Sequence, residues 1–370
     1  PVDGHDVSYL TRLLRYAKEL NCPVLLHVRT VKGKGYTPAE RQPDQFHGVG
    51  PFDVEKGLAV SKAGGVNFSS VFGETMCQLA EEKPELVAIT AAMRLGTGLD
   101  EFARRYPQRF FDVGIAEGHA VAMTGGLAKQ GALPVFAVYS TFLQRGYDML
   151  IHDMALQNLH GILAVDRAGL VGEDGETHHG VFDVGFLSTV PGMQILCPAS
   201  FAELRAMLRH AVCEMTGPVA IRYPRGGEGQ WTQMAGVDGT TVIQEGTDVT
   251  LVAYGTMVDQ VLQAAQLLEQ RGHSVAVVKL NSIRPLDMGP IRRLCEQTGR
   301  LIVAEECNDS GCVGRTIISE LALAGVPVKA ALVNLGDQFV PQGSVAQLRE
   351  MTGIDGAGIC QKAMEVIANG

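Results

Sequence analysis

The chain has 370 residues, of which 46% are hydrophobic and 19% charged, and its formal net charge is −9. That length and composition suit two or more cored domains and exclude a largely disordered chain. The acidic balance disfavours nucleic acid and an anionic membrane as main partners, and no apolar run approaches the roughly 18 residues of a membrane helix.

The chain opens at Pro1 without a methionine, as if in mid-domain, and reads as part of a longer polypeptide. Helical spacing over 8–20 places Val7, Leu10, Leu13, Leu14, Ala17 and Leu20 on one side, and 22–28 reads as a buried strand. From Lys32 to about Lys56 the periodicity disappears, so this stretch reads as a long crossing segment. From Asn67 helices and strands alternate. Helices are expected over 71–82, 116–130, 141–158 and 200–214, and strands over 86–90, 134–139, 161–166, 193–197 and 218–223. Gly125 and Gly126 lower helix propensity inside the second of these helices, and close packing of helix on sheet explains them best. A polar, Gly-rich break over 226–246 carries Trp231 and reads as a domain boundary.

Beyond the break, strands are expected over 249–254, 274–280, 301–305 and 328–333, with helices over 256–271, 288–298, 313–324, 344–351 and 359–368. Such alternation predicts an α/β protein of two doubly wound domains with mostly parallel sheets. Residues 1–60 form the first segment, 61–230 the first of these domains and 240–370 the second. The second has fewer polar groups at its strand ends, which suits a scaffold or a dimer contact. Eight scattered cysteines with no Cys-x-x-Cys pair argue against structural zinc and fit a reducing cytosol.

Nucleotide hydrolysis, Rossmann binding and serine hydrolysis are disfavoured, because the P-loop, G-x-G-x-x-G, G-x-S-x-G and H-E-x-x-H signatures are all missing. The polar runs instead cluster at the carboxyl ends of expected strands, where open α/β sheets bind ligands. Glu117 falls in the first turn of a helix, a place that suits any carboxylate through the helix dipole. Phe142 follows the next strand, and a ring with a carboxylate can hold a flat heterocycle. Arg145, Arg167 and Arg225 fit a phosphorylated substrate, although surface ion pairs are the ordinary alternative. Arg222 lies nearer the strand interior and reads as structural. Asp174, Glu176, His178 and His179 suit acid–base work better than a metal, since no matching cluster lies elsewhere, and turn bonding within the loop is the plain alternative.

Taken together, these segments resemble the 1-deoxy-D-xylulose-5-phosphate synthase family, thiamine-diphosphate enzymes of the transketolase superfamily. The matching runs are Gly33-Lys34-Gly35-Tyr36, Phe46-His47, Pro51-Phe52-Asp53, Ile89 to Met93, Phe111 to Val121, Tyr139 to Asp148, Asp166 to Gly180 and Arg222 to Gly226. The resemblance implies condensation of pyruvate with glyceraldehyde 3-phosphate, with release of CO₂, at the head of isoprenoid synthesis. It implies a cytoplasmic homodimer whose N-terminal domain grips Mg²⁺ and the diphosphate, so that no metal ligand is expected in this chain. Glu117 would bond the pyrimidine N1′ and favour its imino form, Phe142 would stack on that ring, and Met93 and Ile115 would join the cofactor contacts. Tyr139, Arg145, Arg167 and Arg225 would meet the acceptor phosphate and substrate. Asp174 and His178 would lie over the reacting carbon, and His47 near the thiazolium.

Two departures matter. Position 118 is Gly where relatives often carry Gln, and the Gly-Asp-Gly…Asn metal–diphosphate motif does not occur. The chain is therefore expected to be a fragment that is inactive alone. The β subunit of a split 2-oxo-acid dehydrogenase, or another transketolase-like subunit, is the second reading. The Thr141–Arg145 and Asp174–Gly180 runs and the crossing segment argue against it. A non-catalytic interaction module, the third, is disfavoured by retention of Glu117, His178 and the arginines.

Overall fold

In a computed structural model that describes residues 1–43, 45–59 and 65–368, the chain separates into two units, Pro1–Gly65 and Val66–Gly370. In the first unit Asp6 caps the helix Val7–Glu19 by accepting the Tyr9 amide at 2.8 Å. The strand expected over 22–28 shrinks to Val28–Arg29, which pairs in parallel with Val2–Asp3. A strand extends only as far as its partner, and here the partner is two residues long. The crossing segment folds locally into the helix Thr37–Arg41 and an antiparallel pair of Phe52–Asp53 with Leu58–Ala59. The rings of Tyr36, Phe46 and Phe52 pack on one another with centroids 5.3–5.8 Å apart. The boundary expected at 60–61 lies outside the described residues.

The second unit contains two sheets. Across the seven-stranded sheet the order is Ser282–Arg284, Gln194–Leu196, Val219–Arg222, Ile162–Asp166, Leu133–Tyr139, Leu86–Thr90 and Phe110–Asp112. All neighbours are parallel except the first pair. Its central strands are apolar on both faces because helices cover both. Val135 and Ala137 face the helices Phe68–Glu82 and Phe201–Cys213, while Phe136 and Val138 face Ala120, Val121, Leu150 and Met154. Chain order reverses about the Leu86–Thr90 strand: Phe110–Asp112 lies on one side of it, and the helix Glu117–Lys129 then leads to Leu133–Tyr139 on the other. That reversal is the topological switch point, and it places Glu117 and Tyr139 at the same edge.

The five-stranded sheet runs Thr240–Gln244, Val275–Leu280, Val249–Ala253, Arg300–Ala304 and Lys329–Val333. Only the first of these strands is antiparallel to its neighbour. It was hidden in the Gly-rich break because all its residues are half-buried, the mark of an edge strand. Ser282–Arg284, three residues long, leaves this domain to edge the other sheet. The two sheets share one hydrophobic cluster in which Leu187 and Ile195 meet Tyr254, Val278 and Leu294. Trp231 pins the intervening break: it is buried, and its indole donates to Glu203 Oε1 at 3.1 Å. The buried Lys279 ammonium lies 3.2 Å from the same carboxylate, across the two domains.

The helix expected over 141–158 is a helical rod of changing pitch, ending in a π-helical turn at Leu150–Ala155. Gly125 serves this rod rather than the sheet, since a Cβ there would stand 2.3 Å from the Asp153 carbonyl oxygen. Gly126 has nothing within 4 Å. Gly125→Ala is therefore expected to destabilise the chain by about 1–3 kcal/mol, as overpacking does. Gly126→Ala is expected to stabilise it by roughly 0.5–1 kcal/mol. Urea unfolding of the two variants checks the contrast, and equal effects would refute it.

Candidate active site

Glu117 is the first residue of its helix and is only 4% exposed. Asp112 sets the turn before it by accepting the amides of Ala92 at 2.8 Å and Gly114 at 3.0 Å. The Arg145 guanidinium reaches Glu117 Oε1 at 3.1 Å and lies 5.2 Å over the Phe142 ring. Phe142 stacks on Tyr139 at 5.9 Å and receives the edge of His178 at 5.5 Å. The Arg167 guanidinium covers the other end of this stack, 4.0 Å from the Tyr139 centroid. Burial raises the Tyr139 hydroxyl above its ordinary pKa and keeps the ring neutral.

At that end Asp174 lies between two guanidinium groups. Arg167 bonds one carboxylate oxygen, and Arg225 stands 3.2 Å from the other. Arg167 takes a left-handed φ of 60°, a turn that costs a non-glycine residue about 1–2 kcal/mol. The turn carries the chain from the buried strand to the Tyr139 ring. Thr141 Oγ1 donates to the Thr177 carbonyl at 2.9 Å, and the Thr177 hydroxyl lies 2.9 Å from His178 Nδ1.

Eight of the expected site residues thus come together: Glu117, Tyr139, Phe142, Arg145, Arg167, Asp174, His178 and Arg225. Met93 is half-buried against the core behind Ala92, and Ile115 stands 83% exposed just before Glu117. His47 is exposed within the first unit. Arg222 is structural: it grips buried Asp183 through Nε at 2.9 Å and Nη2 at 3.1 Å.

Asp166 carries a second, unforeseen feature. It is fully buried, and its Oδ2 accepts the Ser69 hydroxyl at 2.7 Å. Oδ1 has no hydrogen-bond partner among the described residues. Burial pushes the carboxyl up to about 7, against the Ser69 bond and the neighbouring Arg167, which favour the ionised form. The folded chain keeps this proton where the unfolded chain has released it. The stability it contributes is complete below about pH 4 and is lost as pH rises through 7. Asp166→Asn is expected to flatten that fall between about pH 5 and about pH 8. Urea midpoints at both ends of the window read it, and an unchanged pH dependence would refute the assignment.

The two ends of the ring stack present opposite chemistry. A carboxylate with an aromatic face fits a planar nitrogen base, and the Arg145 guanidinium shows both contacts at once. Two guanidinium groups on one carboxylate fit an anion with several oxygens, such as phosphate. Among the described residues no group of three or more His, Cys, Asp or Glu is placed to hold a metal ion, and no helix is long and apolar enough to cross a membrane.

Comparison with known proteins agrees with this fold. Residues 64–227 match the family model of the transketolase pyrimidine binding domain, and residues 239–359 match that of the transketolase C-terminal domain. A solved structure described as a split gene transketolase, inactive beta4 tetramer, superposes with a TM-score of 0.72 at 28% identity. The match covers 82% of this chain and 99% of that one. The fold is that of a transketolase-type α/β protein. Within that class the chain belongs to the 1-deoxy-D-xylulose-5-phosphate synthase family. Its relatives include the synthase 1 of Geobacter sulfurreducens, 46% identical over 97% of this chain, and the synthase of Heliobacterium modesticaldum, 44% identical over 99%. The chain spans 57% of the length of each of these relatives.

Proposed function

We propose that this chain supplies the pyrimidine-binding and acceptor-binding part of a synthase that joins pyruvate to glyceraldehyde 3-phosphate, releasing CO₂ and forming 1-deoxy-D-xylulose 5-phosphate. The observation that carries this reading is the continuous stack from buried Glu117 through Phe142 and Tyr139 to the Arg167–Asp174–Arg225 cluster. Thiamine diphosphate, when bound, supplies the electron sink for decarboxylation. Glu117 and Phe142 would hold its aminopyrimidine, with Met93 and Ile115 at the rim of the same sheet edge.

In this reading the site residues divide the work. Glu117, screened from water, holds or releases a proton at a ring nitrogen facing its carboxylate. Phe142 fixes the plane of that ring. Arg145 exchanges its bond to Glu117 for a substrate contact at the open side of the site. Arg167 and Arg225 exchange Asp174 for the acceptor phosphate, and Asp174 then turns its carboxylate toward the substrate. His178, held against Phe142, serves as proton donor or acceptor to the substrate. Mg²⁺ would bind in the part of the relatives' length that this chain does not span. Homodimerisation and a cytoplasmic location belong to the same reading.

The likeness to the inactive tetramer of a split gene transketolase supports a further expectation. The 370-residue chain alone is expected to form no detectable 1-deoxy-D-xylulose 5-phosphate from the two substrates and cofactor. Product from the purified chain at a rate comparable to the complete relatives would overturn this division of labour.

A further inference from the structure

The loop that carries Asp174 is held from the other domain. Glu306 follows the Arg300–Ala304 strand of the five-stranded sheet and is only 4% exposed. Its Oε2 accepts the Leu170 amide at 3.1 Å. Its Oε1 binds Arg349 Nε at 2.8 Å, and Arg349 Nη2 donates to Thr256 Oγ1 at 3.0 Å. Gly169 makes the approach possible: its φ is +82°, and a Cβ there would lie 2.0 Å from Glu306 Oε2. One residue beyond Leu170, the Val171 carbonyl accepts Arg225 Nη1 at 2.9 Å, and the Val171 amide donates to His179 Nδ1 at 3.1 Å. His179 Nε2 is 3.1 Å from the Pro341 carbonyl, which fixes the tautomer with its proton on Nε2 and adds a second link to the same domain.

We propose that Glu306, braced by Arg349, is a positioning residue for the acceptor-phosphate site, acting through the Leu170 amide and the Val171 carbonyl on Arg225 and its partner Asp174. The inference rests on the reading of Arg167 and Arg225 as the phosphate-binding pair. It gives the C-terminal domain a part in substrate binding, beyond scaffold or dimer contact. Without the carboxylate, the Leu170 amide loses its buried acceptor and the loop is no longer held at the spacing the two arginines need.

Calorimetric titration of the 370-residue chain with glyceraldehyde 3-phosphate tests this, alongside amide hydrogen exchange at Leu170. Glu306→Ala is expected to weaken binding about tenfold and to speed Leu170 exchange by a similar factor. Glu306→Gln, which keeps an oxygen for the Leu170 amide but not the charge facing Arg349, is expected to recover most of both. Arg225→Ala is expected to weaken binding at least as much while leaving the Leu170 amide protected. If Arg225→Ala weakens binding and Glu306→Ala does not, the positioning role is overturned and the phosphate reading stands. If neither variant weakens binding, or the unaltered chain does not bind the ligand, both fall. Should Glu306→Ala fail to fold, Arg349→Ala decides: it removes the brace from Glu306 Oε1, is expected to weaken binding and speed Leu170 exchange several-fold, and binding and Leu170 exchange both identical to the unaltered chain would overturn the role.

Discussion

Glu117→Gln is expected to lower the turnover of the complete synthase by about a thousandfold, within the range that a positioned acid–base group supplies. The amide preserves size and hydrogen bonding but cannot take up or release a proton. The side chain starts its helix at the sheet edge, where the positive end of the dipole suits a carboxylate. Its Arg145 bond is made to a side chain that is 57% exposed, so Arg145 can swing into water when a ring nitrogen takes its place on the buried carboxylate. The loss should therefore appear in kcat, with the far-ultraviolet circular dichroism of the protein unchanged. Turnover within tenfold of the unaltered enzyme would remove Glu117 from the mechanism.

The second large effect is on stability. Asp183 is completely buried, and its carboxylate is bonded by both arms of the Arg222 fork and by the Val184 amide at 2.9 Å. Arg222 also lies 5.3 Å over the Tyr254 ring, so the pair sits where the two domains meet. Asp183→Ala leaves a guanidinium buried without its counter-ion and is expected to cost about 3–5 kcal/mol. The double variant Asp183→Leu, Arg222→Met removes both charges and is expected to cost clearly less. Denaturant unfolding measures both. A single-variant loss below about 1 kcal/mol would show that the pair is well solvated.

The sequence made the site legible wherever a polar run directly followed an apolar strand. Glu117, Phe142, Arg167 and Arg225 stood out because Phe110–Asp112, Leu133–Tyr139, Ile162–Asp166 and Val219–Arg222 are short apolar runs that end at one edge. What remained hidden was pairing at long range. Arg222 announced a structural role but not its partner Asp183, 39 residues earlier, and Glu306 meets Leu170 across 136 residues. The adjacent carboxylates Glu305 and Glu306, directly after an apolar strand, carried the same signal that marked the other domain. Glu305 proves to be a cap instead, accepting the amides of Val313 at 2.7 Å and Gly314 at 2.8 Å at the start of a helix. The strands missed were the short or half-buried ones, among them Ser282–Arg284, Thr240–Gln244, Phe110–Asp112 and the two-residue strands of the first unit, whose pairing is decided by tertiary neighbours rather than by their own pattern.

The most direct measurement is product formation by this chain joined to a diphosphate-binding domain of the kind its relatives contain, supplied with thiamine diphosphate, Mg²⁺, pyruvate, glyceraldehyde 3-phosphate and oxidised lipoamide as the competing acceptor. The expected result is CO₂ and 1-deoxy-D-xylulose 5-phosphate in equal amounts, both abolished by Glu117→Gln. Decarboxylation of pyruvate with its two-carbon unit passed to a lipoyl acceptor, and no sugar phosphate formed, would contradict the account and point to a split 2-oxo-acid dehydrogenase subunit.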